Sequence, residues 1–137
     1  MAEPEPDTPP MIEVNHLTKY YGGRPAIQDL SFTVPHGEIV GFLGPNGAGK
    51  STTMRILAGF LSATEGAARV AGHDVATDSE AVRRRVGFMP ENNPLPSDLR
   101  VGDYLKFRAQ LKRLANGDSA NRIAWVMEKC DVADVAG

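Results

Sequence analysis

The sequence predicts an α/β fold, and three observations support this class. Short apolar stretches alternate with amphipathic segments as far as Pro90. A glycine-rich loop, Gly44–Ser51, follows one such apolar stretch and precedes a segment with helical spacing. Beyond an irregular stretch after Pro90, the pattern is helical. We therefore expect a mixed part over residues 11–90, followed by the start of a helical subdomain over residues 91–137.

Composition and charge exclude several classes of protein. The 137 residues are 42% hydrophobic and 23% charged, with a net charge of −2, which argues against disorder, collagen or a coiled coil for the whole chain. Because there is no basic excess, we expect no nucleic-acid partner. The single cysteine excludes an internal disulfide and a cysteine-rich zinc site. No apolar run approaches the roughly 18 residues of a membrane span, so we expect a soluble intracellular chain.

The elements before the loop begin after a proline-rich, acidic stretch. Residues 1–10 contain four prolines and three acidic residues and predict a disordered tail. Strands are predicted at Met11–Val14 and Gln28–Val34, with a polar turn at Thr18–Pro25 between them. Glu38–Leu43 is short, apolar and β-branched, which predicts a strand buried on both faces.

The elements after the loop are short. They are a helix at Ser51–Phe60 with Met54, Leu57, Ala58 and Leu61 on its buried face, strands at Ala67–Val70 and His73–Val75, a helix at Ser79–Arg85, and a buried strand at Val86–Met89. Glu91–Leu99 is predicted to be a loop. Two apolar stripes then predict helices, with a turn at Asn116–Gly117 between them. Met127 and Cys130 lie on the second stripe, which predicts core positions.

The glycine-rich loop matches the phosphate-binding pattern G-x-x-x-x-G-K-[ST] in full. Glycines allow backbone N–H groups to approach phosphates closely, and the N-terminus of the following helix favours an anion. Lys50 would reach the β- and γ-phosphates, Ser51 would offer a hydroxyl to Mg²⁺, and Thr52 would bond a phosphate oxygen nearer the ribose. The residues predicted to bind the nucleotide are Gly44, Pro45, Asn46, Gly47, Ala48, Gly49, Lys50, Ser51 and Thr52.

At these residues the sequence resembles the nucleotide-binding domain of ATP-binding-cassette (ABC) transporters. The loop is spelled GPNGAGKST, Leu17–Gly22 is similar to the family's aromatic loop, and Arg84–Glu91 is similar to the approach to its Q-loop. The residues around Glu91–Leu95 most resemble those of bacterial exporters of the gliding-motility or multidrug-resistance type. The resemblance implies a P-loop NTPase core, with ATP and Mg²⁺ as cofactors.

The resemblance also implies two further site residues. Tyr21 lies where the family stacks an aromatic ring on adenine, although the adjacent Tyr20 leaves the register uncertain by one. Glu91 stands where the family usually has a glutamine that contacts Mg²⁺ and links the site to the membrane partner. A carboxylate can ligate Mg²⁺ but cannot donate a hydrogen bond. Glu91 is therefore a metal-side or coupling residue, or alternatively a solvated loop acid.

The family's remaining catalytic motifs do not appear after Pro90. These are an LSGGQ-like signature, a Walker B strand with its catalytic glutamate, and a switch histidine. We therefore expect the N-terminal portion of an ABC ATP-binding subunit, with the C-terminal half absent. Such a chain would bind ATP weakly without hydrolysing it, and would be marginally stable or aggregate because a buried strand lacks a neighbour.

The resemblance implies two partners: a second ATP-binding subunit in a dimer, and a separate transmembrane permease on the inner face of the cell membrane. Three alternatives stay open. The first is a soluble ABC ATPase that acts on ribosomes or in DNA repair. The second is a non-catalytic ATP-binding or interaction module. The third is a P-loop kinase, which would need acceptor-site acids and a set of lid arginines.

Overall fold

A computed structural model of the chain describes residues 9–93 and 95–135. The predicted tail lies outside the described residues as far as residue 8. The described residues divide into two compact units, with the boundary between Phe88 and Met89. The first unit contains β1 (Ile12–Tyr21), β2 (Arg24–Val34), α1 (Lys50–Leu57), β3 (Glu65–Val70), β4 (His73–Asp74) and α2 (Ser79–Arg85). The second contains α3 (Val101–Leu111), α4 (Asn116–Lys129) and a short 3-10 helix, Ala133–Val135.

The sheet of the first unit is antiparallel, with strand order β2-β1-β3-β4. β1 and β2 are longer than predicted because the turn between them occupies only Gly22 and Gly23, not Thr18–Pro25. Both glycines have positive φ, 52° and 80°, which is the requirement of a tight two-residue hairpin turn. The polar residues on either side of the turn therefore continue the strands. The sheet together with the helices confirms the α/β class.

A bulge in the hairpin explains why strict alternation fails in β1. Val14 and Leu17 are both buried although they are three residues apart. The register shifts between them, and His16 and its neighbour across the strand pair, Asp29, both have positive φ. The Nδ1 atom of His16 lies 2.6 Å from Oδ1 of Asp29. The extra residue returns Leu17 to the core face.

The core of the first unit lies between the sheet and α1. Its buried cluster consists of Val14, Leu17, Ile27, Ile56, Leu57, Ala68, Val70, Val75 and Val82. The predicted stripe of α1 is correct at Leu57 but wrong at Met54, which is 40% exposed, because the buried face is formed by Thr53, Ile56 and Leu57. The helix ends at Leu57, and beyond it the amide of Gly59 donates to the carbonyl of Ile56 while that of Phe60 donates to the carbonyl of Arg55.

The two predictions of buried strands, at Glu38–Leu43 and at Val86–Met89, are both wrong, since neither segment forms a strand in this structure. Glu38–Leu43 is unpaired, and Ile39 is 102% exposed. Val86–Met89 is likewise unpaired, and Met89 is exposed. Each segment makes an aromatic contact, Phe42 with Phe32 and Phe88 with Phe60, and Val86 also packs against the buried cluster. A strand forms only by pairing with another strand, and no described residue pairs with either segment.

The second unit is helical after the predicted loop, of which residue 94 lies outside the described residues. The turn between α3 and α4 occupies residues 112–115, so the predicted turn residues Asn116 and Gly117 instead begin α4. Met127 is half-buried, whereas Cys130 is exposed at the end of α4, so its predicted core position is wrong. Among the described residues, no helix is long and apolar enough to cross a membrane.

Candidate nucleotide-binding site

The phosphate loop, residues 44–49, is exposed and leads directly into α1. Gly47 and Gly49 both adopt left-handed backbone conformations, with φ values of 84° and 85°. A turn closes the loop, since the amide of Ala48 donates to the carbonyl of Pro45 at 3.2 Å. Glycine is needed at both left-handed positions because a Cβ atom is disfavoured there.

Gly49 also packs directly against β2. A Cβ atom at this position would lie 2.2 Å from the carbonyl oxygen of Ala26 and 3.0 Å from the side chain of Ile27. On the helix side, the fully buried Thr53 donates to the Gly49 carbonyl from both its amide and its hydroxyl, at 2.8 Å and 3.0 Å. The C-terminal end of the loop is therefore held between β2 and α1.

The loop presents unpaired backbone donors at the N-terminus of α1. Within the described part of the chain, the amide of Ala48 is the only one between residues 46 and 52 that donates to a protein group. The first amides of a helix have no intrahelical partner, and the helix dipole places partial positive charge there. This combination favours the binding of an anion such as a phosphate group.

Lys50 lies over the loop and bonds to it. Its Nζ donates to the carbonyl oxygens of Gly44 at 2.5 Å and Pro45 at 2.7 Å. An ammonium group has three donors, so one remains for a phosphate oxygen even with both of these bonds in place. Ser51 is exposed and Thr52 is half-buried, so both hydroxyl positions lie at or near the surface.

A recess of about 210 Å³ lies between the loop and β2. Its walls include Gln28, Phe42, Gly47 and Thr53. It is smaller than the roughly 300–1,000 Å³ of typical ligand pockets. A nucleotide would therefore lie across the open surface of this unit and not inside the recess.

Tyr20 and Tyr21 are the last two residues of β1, and the ring of Tyr21 is the one in contact with Lys19. Lys19 is the cross-strand partner of Ile27, whose side chain lies beside Gly49. The register shifts between Lys19 and Tyr20, so alternation along the strand does not assign their faces. The contact of the Lys19 ammonium with the ring places Tyr21 on the loop-side face with Lys19. The ring of Tyr21 is 49% exposed, and the Lys19 ammonium lies 5.6 Å from its centroid.

Glu91 is exposed and belongs to the second unit. Within residues 9–93 and 95–135, no group of three or more His, Cys, Asp or Glu side chains could hold a metal ion. A Mg²⁺ ion at this loop would thus need oxygens of a bound nucleotide in addition to the hydroxyl of Ser51.

Sequence reasoning missed Lys19 and Thr53 as parts of this site. Lys19 stands two residues before Tyr21, a spacing that places both side chains on one face of a regular strand. Thr53 gave no such signal, because its role depends on the carbonyl of Gly49 and on burial beneath the sheet.

The fold and the loop define a P-loop nucleotide-binding unit, and comparison with known proteins identifies its family. The ABC transporter family model matches residues 27–136, a range that excludes Tyr21. A solved structure of an ATP-binding subunit of an ABC transporter is similar with a TM-score of 0.80 at 28% identity, over 92% of this chain and 52% of that one.

Proteins with similar sequences support the same family. An uncharacterized ABC transporter ATP-binding protein of Methanocaldococcus jannaschii is 37% identical over 91% of this chain and 43% of its own length. ATP-binding cassette sub-family A member 2 of Rattus norvegicus is 35% identical over 98% of this chain and 6% of its own. The human retinal-specific phospholipid-transporting ATPase ABCA4 is 43% identical over 75% of this chain and 5% of its own.

The chain belongs to the ABC transporter family, and the resemblance seen in the sequence is confirmed. It corresponds to the N-terminal portion of the family's ATP-binding domain. It spans less than half of the archaeal relative and about half of the matched structure. The resemblance to gliding-motility or multidrug-type exporters stays a prediction.

Proposed function

We propose that this chain binds Mg-ATP at the phosphate loop and that, within the complete protein, this binding and the hydrolysis of ATP drive transport through a separate transmembrane partner. The observation that supports the proposal is the set of amides at residues 46, 47 and 49–52, at the start of α1, that donate to no protein group. Few anions of biological abundance match a row of convergent backbone donors as well as a polyphosphate does.

Each loop residue has a distinct part in this proposal. The backbone of Gly44–Gly49 surrounds the phosphates, with Pro45, Asn46 and Ala48 shaping the loop between the glycines. Lys50 bonds the β- and γ-phosphates, Ser51 offers its hydroxyl to Mg²⁺, and Thr52 bonds a phosphate oxygen nearer the ribose. Mg²⁺ would neutralise charge on the phosphate oxygens.

Tyr21 would stack on the adenine ring. Its half-exposed ring on the loop-side face of β1 supports this role over the adjacent Tyr20. Stacking on an aromatic side chain is worth about 1–3 kcal/mol per base in single-stranded nucleic-acid sites, and it recognises a π-face instead of a hydrogen-bond pattern. We therefore expect Tyr21 to strengthen binding without selecting strongly between purine bases.

Glu91 would act beside the metal or in coupling to the membrane partner. Glu91→Gln installs the residue that the family usually has there. If the carboxylate ligates Mg²⁺, this change should weaken the Mg²⁺ dependence of ATP affinity while leaving metal-free ATP affinity unchanged. Equal affinities of both proteins at every Mg²⁺ concentration would assign Glu91 to the solvated loop.

The proposed partners are a second ATP-binding subunit and a transmembrane permease, which place the protein at the cytoplasmic face of a membrane. Support comes from the relatives, which include an ABC transporter ATP-binding protein and a phospholipid-transporting ATPase. Cross-linking in cell membranes followed by identification of the linked chain would test both partners.

The test of nucleotide binding is a calorimetric titration of the 137-residue chain with Mg-ATP. Lys50→Ala should weaken binding at least tenfold, because it removes a charged donor to the phosphates. Lys129→Ala removes the same charge from the end of α4 and should leave affinity unchanged. Equal affinity of wild type and Lys50→Ala would overturn the proposal.

Hydrolysis is expected only in the complete protein, since no signature or Walker B sequence follows Pro90 in this chain. That observation also favours the second candidate, a module that binds ATP without catalysis. Measurement of phosphate release from Mg-ATP distinguishes hydrolysis from binding without catalysis. Steady turnover by the 137-residue chain that Lys50→Ala abolishes would contradict the expectation.

A further inference from the structure

We propose that Lys19 is a positioning residue that holds the ring of Tyr21 in place for a nucleotide base. The inference rests on the proposed function, because it assumes that a base stacks on Tyr21. It adds a residue to the base side of the site that lies outside the phosphate-binding motif. Two contacts of the Lys19 ammonium support it.

The first contact anchors the ammonium. Nζ of Lys19 donates to the carbonyl oxygen of Ser62 at 2.7 Å. The segment that contains this carbonyl is itself bonded to the end of β1, because the amide of Thr64 donates to Thr18 at 2.8 Å and the Thr64 hydroxyl accepts from Tyr20 at 3.1 Å. The position of the charge is therefore set by backbone groups that are held on β1.

The second contact is with the aromatic ring. Nζ of Lys19 lies 5.6 Å from the ring centroid of Tyr21, within the roughly 6 Å over which a cation is attracted to an aromatic face. Tyr21 is otherwise the last residue of β1 and half-exposed. A cation against one face restricts the ring and leaves the opposite face for a base.

This arrangement acts on the base and not on the phosphates. The ring of Tyr21 recognises a π-face, so its orientation affects ATP but has no effect on inorganic triphosphate, which lacks a base. A residue that merely stabilised the fold, or attracted anions in general, would affect both ligands. Comparison of the two ligands therefore separates a positioning role from a structural one.

The experiment measures the affinities of the 137-residue chain for ATP and for inorganic triphosphate, with Mg²⁺ present. Lys19→Met keeps the length and apolar stem of the side chain and removes its charge. It should weaken ATP binding about two- to fivefold, the size of an exposed cation–π contact, and leave triphosphate binding unchanged. Lys19→Arg should restore ATP affinity, because a guanidinium also stacks on aromatic faces.

A double-mutant cycle with Tyr21→Ala tests whether Lys19 acts through the ring. In that background Lys19→Met should have no further effect on ATP affinity. An equal loss for ATP and triphosphate, or a loss that persists without the Tyr21 ring, would overturn the inference. If wild type binds triphosphate but gains nothing from the base of ATP, the inference fails and the phosphate site stands. If it binds neither ligand, the proposed function itself fails.

Discussion

The two flanks of the phosphate loop are similarly apolar in sequence but differ completely in how they are held. Downstream, α1 buries Ile56 to 1% exposure, and its carbonyls at Arg55 and Ile56 accept from the amides of Phe60 and Gly59. Upstream, Glu38–Leu43 leaves Ile39 and Leu43 in solvent. A helix satisfies its own backbone and needs only one covered face, whereas a strand bonds its backbone only by pairing with another strand. The loop is therefore fixed from its helix side.

Matched isoleucine truncations should show the largest difference between the flanks. Ile56→Ala removes buried atoms from the core and should destabilise the first unit by about 2–5 kcal/mol. Ile39→Ala removes the same atoms from an exposed segment and should cost less than about 0.5 kcal/mol. Urea unfolding followed by circular dichroism measures both. Similar losses would mean that the upstream segment is packed in solution.

Matched glycine substitutions should give the next largest effect. Gly47→Ala meets no neighbouring atom within 4 Å and pays mainly for its left-handed backbone, about 1–2 kcal/mol. Gly49→Ala adds a clash with the carbonyl of Ala26 to the same backbone cost, so it should destabilise the unit more. Thermal unfolding compares the two. Equal shifts in Tm would show that the contact between the loop and β2 is weak.

The exposed upstream flank should affect solubility instead of stability. The double change Ile39→Ser with Leu43→Ser removes two exposed apolar side chains and should lower concentration-dependent light scattering, because exposed apolar segments associate. The urea midpoint should stay within error of wild type. A sharp cooperative melt of monomeric wild type, with no scattering at high concentration, would contradict the expectation of an aggregating, marginally stable chain.

The smallest effect is expected at the turn before α2. The amide of Thr77 donates to the carboxylate of Asp74, and this bond is the main reason that its pKa lies below the usual 3.8. A lowered folded-state pKa stabilises the fold above the unfolded value and loses that contribution as pH falls through the folded value.

Asp74→Ala should therefore be less stable than wild type at pH 7, and the difference should begin to shrink as the pH falls below about 3.8 and disappear below the lowered folded-state pKa of Asp74. Asp98→Ala removes an exposed acid of the second unit and is the control. Urea midpoints at several pH values provide the measurement. A difference that persists unchanged at pH 2.5 would show that the carboxylate has no such role.

The starts of the first two helices, which depend on residues close together in the sequence, were predicted well. The helix at Ser79–Arg85 has the predicted bounds, and α1 begins within one residue of its prediction, at Lys50. The strands were predicted less well. The bulge at His16 and Asp29 has no local signature, and whether Glu38–Leu43 pairs depends on distant segments, which no short window of sequence shows.

The sequence by itself determined the phosphate-binding motif, the start of α1 and the family. These depend on residues close together in the chain, where glycine freedom and helix ends act locally. Only the tertiary structure decided that Gly49 packs on Ala26, that Tyr21 shares a face with Lys19, and that the upstream flank stays exposed. Those outcomes depend on contacts between distant segments, which form only when the sheet and α1 bring their residues together.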